Sequence, residues 1–300
     1  MTRRSRILRP AGAVRRTGLE PALPGKTFVP PMQPIDLIAL DLDGTLLAPD
    51  ESISPANRAA IARALKAGIR VVLVTGRGVD TPIRISRELG LNLPVICCHG
   101  ALTKDFGADK TLAHIPVPLE YALPMVRFAE ANGVSIAIYN EEFFWRAAGA
   151  VIHMQDMTGP AWREVPTLLG VLTTAPTFIR FLGAEAVEVM KREFGDLPLN
   201  FRYENWYEFV ECAVLARDAS KKTALARLCA DFQVEAERVL AIGDSRNDVP
   251  MLHWAGIGVA MANALPEVRS AVRFTTGSNE QDGVAAAIER FCFAAEKKTA

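Results

Sequence analysis

Asp41-Leu42-Asp43-Gly44-Thr45-Leu46-Leu47 closes the apolar run Ile35-Asp36-Leu37-Ile38-Ala39-Leu40. The run is short, almost wholly apolar and stopped by Gly44, the pattern of a strand buried on both faces. Such a strand belongs in the middle of a parallel sheet. Two carboxylates at its carboxyl end then fall in the crevice where open α/β sheets bind ligands. Acids desolvated there call for a positive partner, and a metal ion is the simplest one. A bare Asp-x-Asp more often caps a turn before a helix. This one has company further along the chain.

The sequence around it resumes the same rhythm. Ser54-Pro55 reads as an N-cap followed by proline at the first helical position, opening a helix to about Ala67 that stops at Gly68. Ile69–Val74 is a second β-branched strand ending in Thr75-Gly76-Arg77. A helix near Asp80–Leu89 and a third strand, Pro94–Cys98, follow. Strands alternating with helices start a doubly wound α/β domain. From about residue 103 to 208 the texture changes to irregularly spaced short strands with two helices, which predicts an inserted α+β domain. From Ser220 the first rhythm returns: a helix over 220–232, a strand over 238–242 meeting Gly243-Asp244, a strand over 256–261 and a last helix over 281–293. The expected division is residues 34–102 and 209–300 for one core interrupted by a cap at 103–208.

Half of the 300 residues are apolar, enough for a sizeable core. Formal charge is zero, which argues against a nucleic-acid partner held by overall electrostatics. Residues 1–33 are the exception, with Arg3, Arg4, Arg6, Arg9, Arg15, Arg16 and Lys26 against Glu20 alone. Five prolines break any amphipathic helix there, so this segment reads as a disordered extension, with Met32 the more natural start. The five cysteines form no CxxC pair and lie in or beside apolar segments, as reduced thiols of a cytoplasmic protein would. No apolar run reaches the roughly 18 residues that span a bilayer.

Four polar clusters thus sit at strand ends or helix starts of the split core: Asp41-x-Asp43, Thr75, Lys221-Lys222, and Gly243-Asp244-Ser245-Arg246-Asn247-Asp248. Parallel strands bring such ends to one edge. Acids from the first and last clusters supply the hard oxygen ligands that Mg²⁺ prefers, while a hydroxyl and a lysine supply donors to a phosphoryl group. This is the equipment of phosphoryl transfer.

In order and wording, these clusters resemble the four motifs of the haloacid dehalogenase-like (HAD) hydrolase superfamily, over roughly residues 35–300. Pro250-Met251-Leu252, Ala255–Ala264 and Asp282-Gly283-Val284 resemble its Cof-type (IIB) sugar-phosphatase branch. The resemblance implies a Rossmann-like core with an inserted cap, and a Mg²⁺-dependent phosphatase acting on a small phosphorylated metabolite. It implies that Asp41 attacks phosphorus and that Asp43 serves as acid, then base. Asp41, the main-chain carbonyl of Asp43 and Asp244 would hold Mg²⁺, with Asp248 and Asn247 steadying that shell. Thr75, Gly76 and Lys221 would hold the phosphoryl group. Two departures stand out: His99-Gly100-Ala101 where the branch has Asn-Gly-Ala, and Lys222 where it has glycine. His99 then divides between a substrate contact and a loop histidine bonded to backbone.

Two other readings use the same residues. One is a phosphomutase or phosphotransferase with a sugar as acceptor. The other is a catalytically idle binding or regulatory module, which loss of a nucleophile or metal ligand would favour; none is lost. The aromatics Phe143-Phe144-Trp145 and Trp206-Tyr207 read first as core and second as a sugar-stacking platform.

Overall fold

The computed structural model describes residues 34–141, 143–147, 162–206 and 209–293. The expectation for residues 1–33 lies outside them. In chain order the elements are β1 (Leu37–Leu40), α1 (Pro55–Lys66), β2 (Arg70–Leu73), α2 (Asp80–Glu88) and β3 (Val95–Cys97), then β4 (Leu102–Asp105) and β5 (Lys110–His114). Next come α3 (Leu119–Asn132), β6 (Ile136–Asn140), β7 (Phe143–Ala147), β8 (Trp162–Val165), β9 (Phe178–Leu182), α4 (Ala184–Phe194), β10 (Leu199–Trp206) and β11 (Phe209–Ala216). The chain ends with α5 (Lys221–Asp231), β12 (Val239–Gly243), α6 (Val249–Trp254), β13 (Ile257–Ala260), α7 (Pro266–Ala271), β14 (Phe274–Thr275) and α8 (Gly283–Cys292).

The core sheet is parallel in the order β14-β13-β12-β1-β2. A single parallel bridge, Val74 to Ile96, attaches β3 beyond β2. β1 is central and fully buried, because its alternate residues feed two separate cores. Ile38 and Leu40 pack with Ile61, Ile242 and Ile288 on one face; Leu37 and Ala39 pack with Leu225, Leu228 and Met251 on the other. The chain leaves β1 toward β2 on one side and returns at β12 on the other, so the carboxyl end of β1 lies at a topological switch point.

The second sheet, β10-β11-β9-β6-β7-β8, carries α3 and α4 on one face. Its other face rests on the core, where Tyr139, Phe178, Ala213 and Leu215 pack against Val79, Cys97, Cys98 and Leu102. The Tyr139 hydroxyl accepts from the Val79 N–H across this seam (3.1 Å).

Residues 102–114 form a hairpin paired antiparallel with β3, so this segment extends the core strand before the cap begins. At the other end β11 pairs with β10 through Ala216 and with β9 through Val214. Its sequence misleads because both its faces are covered: Cys212 and Val214 by the cap helices, Ala213 and Leu215 by the core. A strand buried on both faces reads like a core strand. The aromatic platform is likewise absent at Phe144, which packs internally on Tyr139 (4.4 Å between centroids) and Trp162 (4.7 Å). Trp145 donates its ring N–H to Asn140 (2.6 Å). The Trp206 and Tyr207 side chains lie outside the described ones.

Candidate active site

Three short turns after β1, β2 and β12, and the start of α5, converge. Asp41 leaves β1 with its N–H still bonded to Ile242 of β12 (3.1 Å), so the sheet itself fixes the Asp41 backbone. Ser220 caps α5, its hydroxyl accepting from the Thr223 N–H (3.1 Å), which puts Lys221 at the first helical position. The Lys221 ammonium is buried and donates to Asp41 Oδ1 (2.6 Å) and Asp248 Oδ1 (2.7 Å). The remaining oxygen of Asp248 accepts the Asp244 and Ser245 N–H groups (3.0 Å each), folding the β12–α6 turn around itself.

The Asp244 carboxylate lies directly against Gly44, where a Cβ would come within 2.3 Å of its Oδ2, and Gly44 also has a φ of +73°. Only glycine lets the first turn pass this close to the acid. Thr45 donates its hydroxyl to Asp244 Oδ1 (3.3 Å). Asp41, Asp244 and Asp248 then offer one oxygen each within 4.8 Å of one another, a donor set able to hold a metal ion. One ammonium faces three buried or half-buried carboxylates, so a divalent cation would balance the cluster, and its hard oxygens suit Mg²⁺.

The charges show the same imbalance. Burial raises Asp41 well above the usual carboxylate range against the pull of Lys221, and Asp248, Asp244 and Asp43 push the same way. Asp244 rises to about 6, through burial first and Asp248 second. Lys221 is opposed by burial, but Asp248 and Asp41 outweigh it and hold the amine firmly protonated.

The Asp43 side chain is not part of that donor set. Arg77 grips it with Nε (3.0 and 2.9 Å to the two oxygens) and Nη2 (2.5 Å), and extends Nη2 to Glu51 (2.7 Å). Arg77 directly follows Thr75-Gly76, but no local sequence pattern signals its clasp on Asp43. Thr75 is fully buried, and its hydroxyl accepts the Arg77 N–H (3.1 Å) while keeping its own proton to donate.

His99 lies against Gly76, where a Cβ would fall 2.4 Å from the ring, and its Nδ1 meets the Asn247 amide nitrogen (3.1 Å). It is therefore a packed element of the site wall as well as a polar one. Burial, then Lys221, Arg180 and Arg202, hold the imidazole well below its usual value, hence neutral at physiological pH. The turn that presents it is strained: Cys98, His99 and Gly100 have φ of 53°, 55° and 95° in succession. A Cβ at Gly100 would come within 2.1 Å of the Ser220 carbonyl. Gly100→Ala is expected to destabilise the protein by about 2 kcal/mol or more, read as a lower urea midpoint. An unchanged midpoint would show that the turn does not press on α5.

All the residues expected at the site, Asp41, Asp43, Thr75, Gly76, His99, Lys221, Asp244, Asn247 and Asp248, thus occupy one edge of the core sheet. Among the described residues no helix is long and apolar enough to cross a membrane.

The chain is similar to known proteins in sequence and fold. Residues 38–288 match the family model described as haloacid dehalogenase-like hydrolase. The chain is 31% identical over 267 residues to the pyridoxal phosphate phosphatase YbhA of Escherichia coli (strain K12), covering 83% of this chain and 96% of that protein. It is 27% identical to the 5-amino-6-(5-phospho-D-ribitylamino)uracil phosphatase YitU of Bacillus subtilis (strain 168), over 85% of this chain and 97% of that one. A solved haloacid dehalogenase-like hydrolase from Bacteroides thetaiotaomicron superposes with a TM-score of 0.74 at 28% identity, over 85% of this chain and 99% of that one. The chain belongs to the haloacid dehalogenase-like hydrolase family, in its Cof-type phosphatase branch.

Proposed function

We propose that the protein is a Mg²⁺-dependent cytoplasmic phosphatase that hydrolyses a small phosphorylated metabolite, a sugar phosphate or similar phosphomonoester, through an aspartyl-phosphate on Asp41. The observation that carries this reading is the buried contact between Lys221 and Asp41 beside Asp244 and Asp248. A carboxylate fixed by the sheet, an ammonium on it and an acid cluster next to it form a nucleophile with charge stabilisation around it.

In the first half-reaction an Asp41 oxygen forms a bond to phosphorus as the ester P–O bond breaks. Asp43 passes a proton to the leaving oxygen. In the second, Asp43 takes a proton from water, the water oxygen bonds to phosphorus, and the Asp41–phosphorus bond breaks to release inorganic phosphate. Lys221, the Thr75 hydroxyl and the Gly76 backbone hold the equatorial oxygens, with Asn247 and His99 on the same wall. Asp41, Asp244, Asp248 and the Asp43 main-chain carbonyl would hold Mg²⁺, which supplies Lewis-acid charge to the phosphoryl oxygens. Because Asp43 accepts from Arg77 through both oxygens, it must turn from that fork before it can serve the leaving group.

The substrates in the names of YbhA and YitU differ in their leaving groups, which supports a phosphomonoester class and no single metabolite. Balanced charge supports a substrate that is neither nucleic acid nor membrane.

The test is release of inorganic phosphate from p-nitrophenyl phosphate. Turnover is expected with Mg²⁺, loss of it in EDTA, and inhibition by Ca²⁺, whose looser and higher coordination would draw Asp41 away from in-line attack. Full activity of EDTA-treated enzyme without added metal would overturn the metal requirement. No phosphate release under any metal would overturn the phosphatase reading.

A further inference from the structure

The cap sheet carries an ordered pattern on the face that meets the core. Reading straight across the strands from β10 to β8, the register aligns Arg202, Ala213, Arg180, Ala137, Arg146 and Glu164. Residues opposite one another on paired strands share a face. Arginines therefore stand on every second strand, about 10 Å apart, with buried alanines between them. The next row along the strands holds Phe144, Tyr139 and Phe178, and it seats the cap on Gly78, Val79 and Cys98. The arginine row lies one pleat, roughly 7 Å, from that contact. Arg180 and Arg202 are close enough to the site wall to influence His99.

Arg180 is the central member. Its guanidinium lies over the rings of Phe144 (5.3 Å) and Phe178 (5.4 Å), which fixes its plane. The acid facing it, Glu211, is 3.7 Å away, an ion pair too long for a hydrogen bond. Arg180 Nε and Glu211 Oε2 are both buried with no hydrogen-bond partner. The Arg180 side chain keeps 18% of its surface accessible while that of Glu211 keeps 3%, so the cation has an open edge and its counter-charge does not. Arg146 differs, being bonded to Glu164 at 3.0 Å. A preset planar fork with donors to spare suits a carboxylate or phosphate.

We propose that this row is a second anion subsite, in which Arg180 and Arg202 receive a carboxylate or second phosphate carried by the leaving group of the phosphoester. The proposal rests on the phosphatase reading above and narrows it to phosphomonoesters with a further anionic group. A purely structural row, seating the cap on the core, would not distinguish substrates by charge.

The test compares kcat/KM for glucose 6-phosphate, glucose 1,6-bisphosphate and 6-phosphogluconate on the Mg²⁺-loaded enzyme. At least a tenfold preference for one doubly anionic probe is expected, and which of the two wins tells phosphate from carboxylate. Arg202→Gln, and the double variant Arg180→Gln/Glu211→Gln, which avoids stranding a buried acid, should cut that preference about tenfold relative to p-nitrophenyl phosphate. Equal kcat/KM for all three sugar probes in the wild type would overturn the subsite, and this comparison decides it even if a variant fails to fold. A preference left intact in both folded variants would overturn it too. Hydrolysis of p-nitrophenyl phosphate with no charge preference removes the subsite alone; absence of all hydrolysis removes the phosphatase reading with it.

Discussion

Asp41→Asn is expected to abolish phosphate release, with a loss of at least about 10⁴-fold in kcat, the scale on which a covalent nucleophile acts. An amide is almost the same size as the carboxylate and can still accept from Lys221, but it cannot attack phosphorus. The fold should survive. The site holds more carboxylates than cations, Lys221 keeps Asp248 at 2.7 Å, and the Asp41 backbone stays bonded to Ile242. A stability change within about 1 kcal/mol is the expected companion result. Asp43→Asn should behave differently: a slower enzyme that accumulates acid-stable ³²P on the protein, because the base for its breakdown is gone. Wild-type turnover in Asp41→Asn would remove the covalent mechanism, and labelled phosphoenzyme in that variant would move the nucleophile elsewhere.

How far the site was legible depended on the distance over which its residues interact. The strand before Asp41, the N-cap at Ser220 and the turn around Asp248 are local events, and spacing in the sequence carries them. Convergence of the four clusters followed from parallel strands, which have a common carboxyl edge. The Arg77–Asp43 clasp was not legible, since it joins residues 34 apart through a long side chain whose direction no pattern encodes. The arginine row is less legible still. Arg146, Arg180 and Arg202 become neighbours only through the register of β7, β6, β9, β11 and β10, and periodicity within a strand says nothing about register between strands. β14, two residues long, and α7, six residues long, give too little periodicity to detect. His99 is a different case: its place after β3 was visible, but its role was set by the Gly76 surface it packs on.

The two adjacent lysines should separate cleanly on substitution. Successive helical residues point about 100° apart, so Lys221 and Lys222 cannot serve one phosphoryl oxygen together. Lys221 is 2% exposed and bridges Asp41 to Asp248, whereas Lys222 is only half-buried. Lys221→Ala is expected to lower kcat/KM roughly 30- to 1000-fold, or about 2–4 kcal/mol of transition-state stabilisation, the scale of one electrostatic donor. It should also destabilise the fold, by about 3–5 kcal/mol in metal-free protein, because two buried carboxylates lose their cation. Mg²⁺ should restore part of that stability, since it would neutralise the same acids, and little of the rate, since it would not replace the ammonium on Asp41 Oδ1. Lys222→Ala should stay within about 0.5 kcal/mol of wild type in both measurements, as changes away from buried networks usually do. Steady-state kinetics and urea melts with and without Mg²⁺ separate the two variants. If Lys222→Ala were the damaging one, the α5 terminus would be turned by about one residue from the arrangement described, and the phosphoryl-binding role of Lys221 would fall with it.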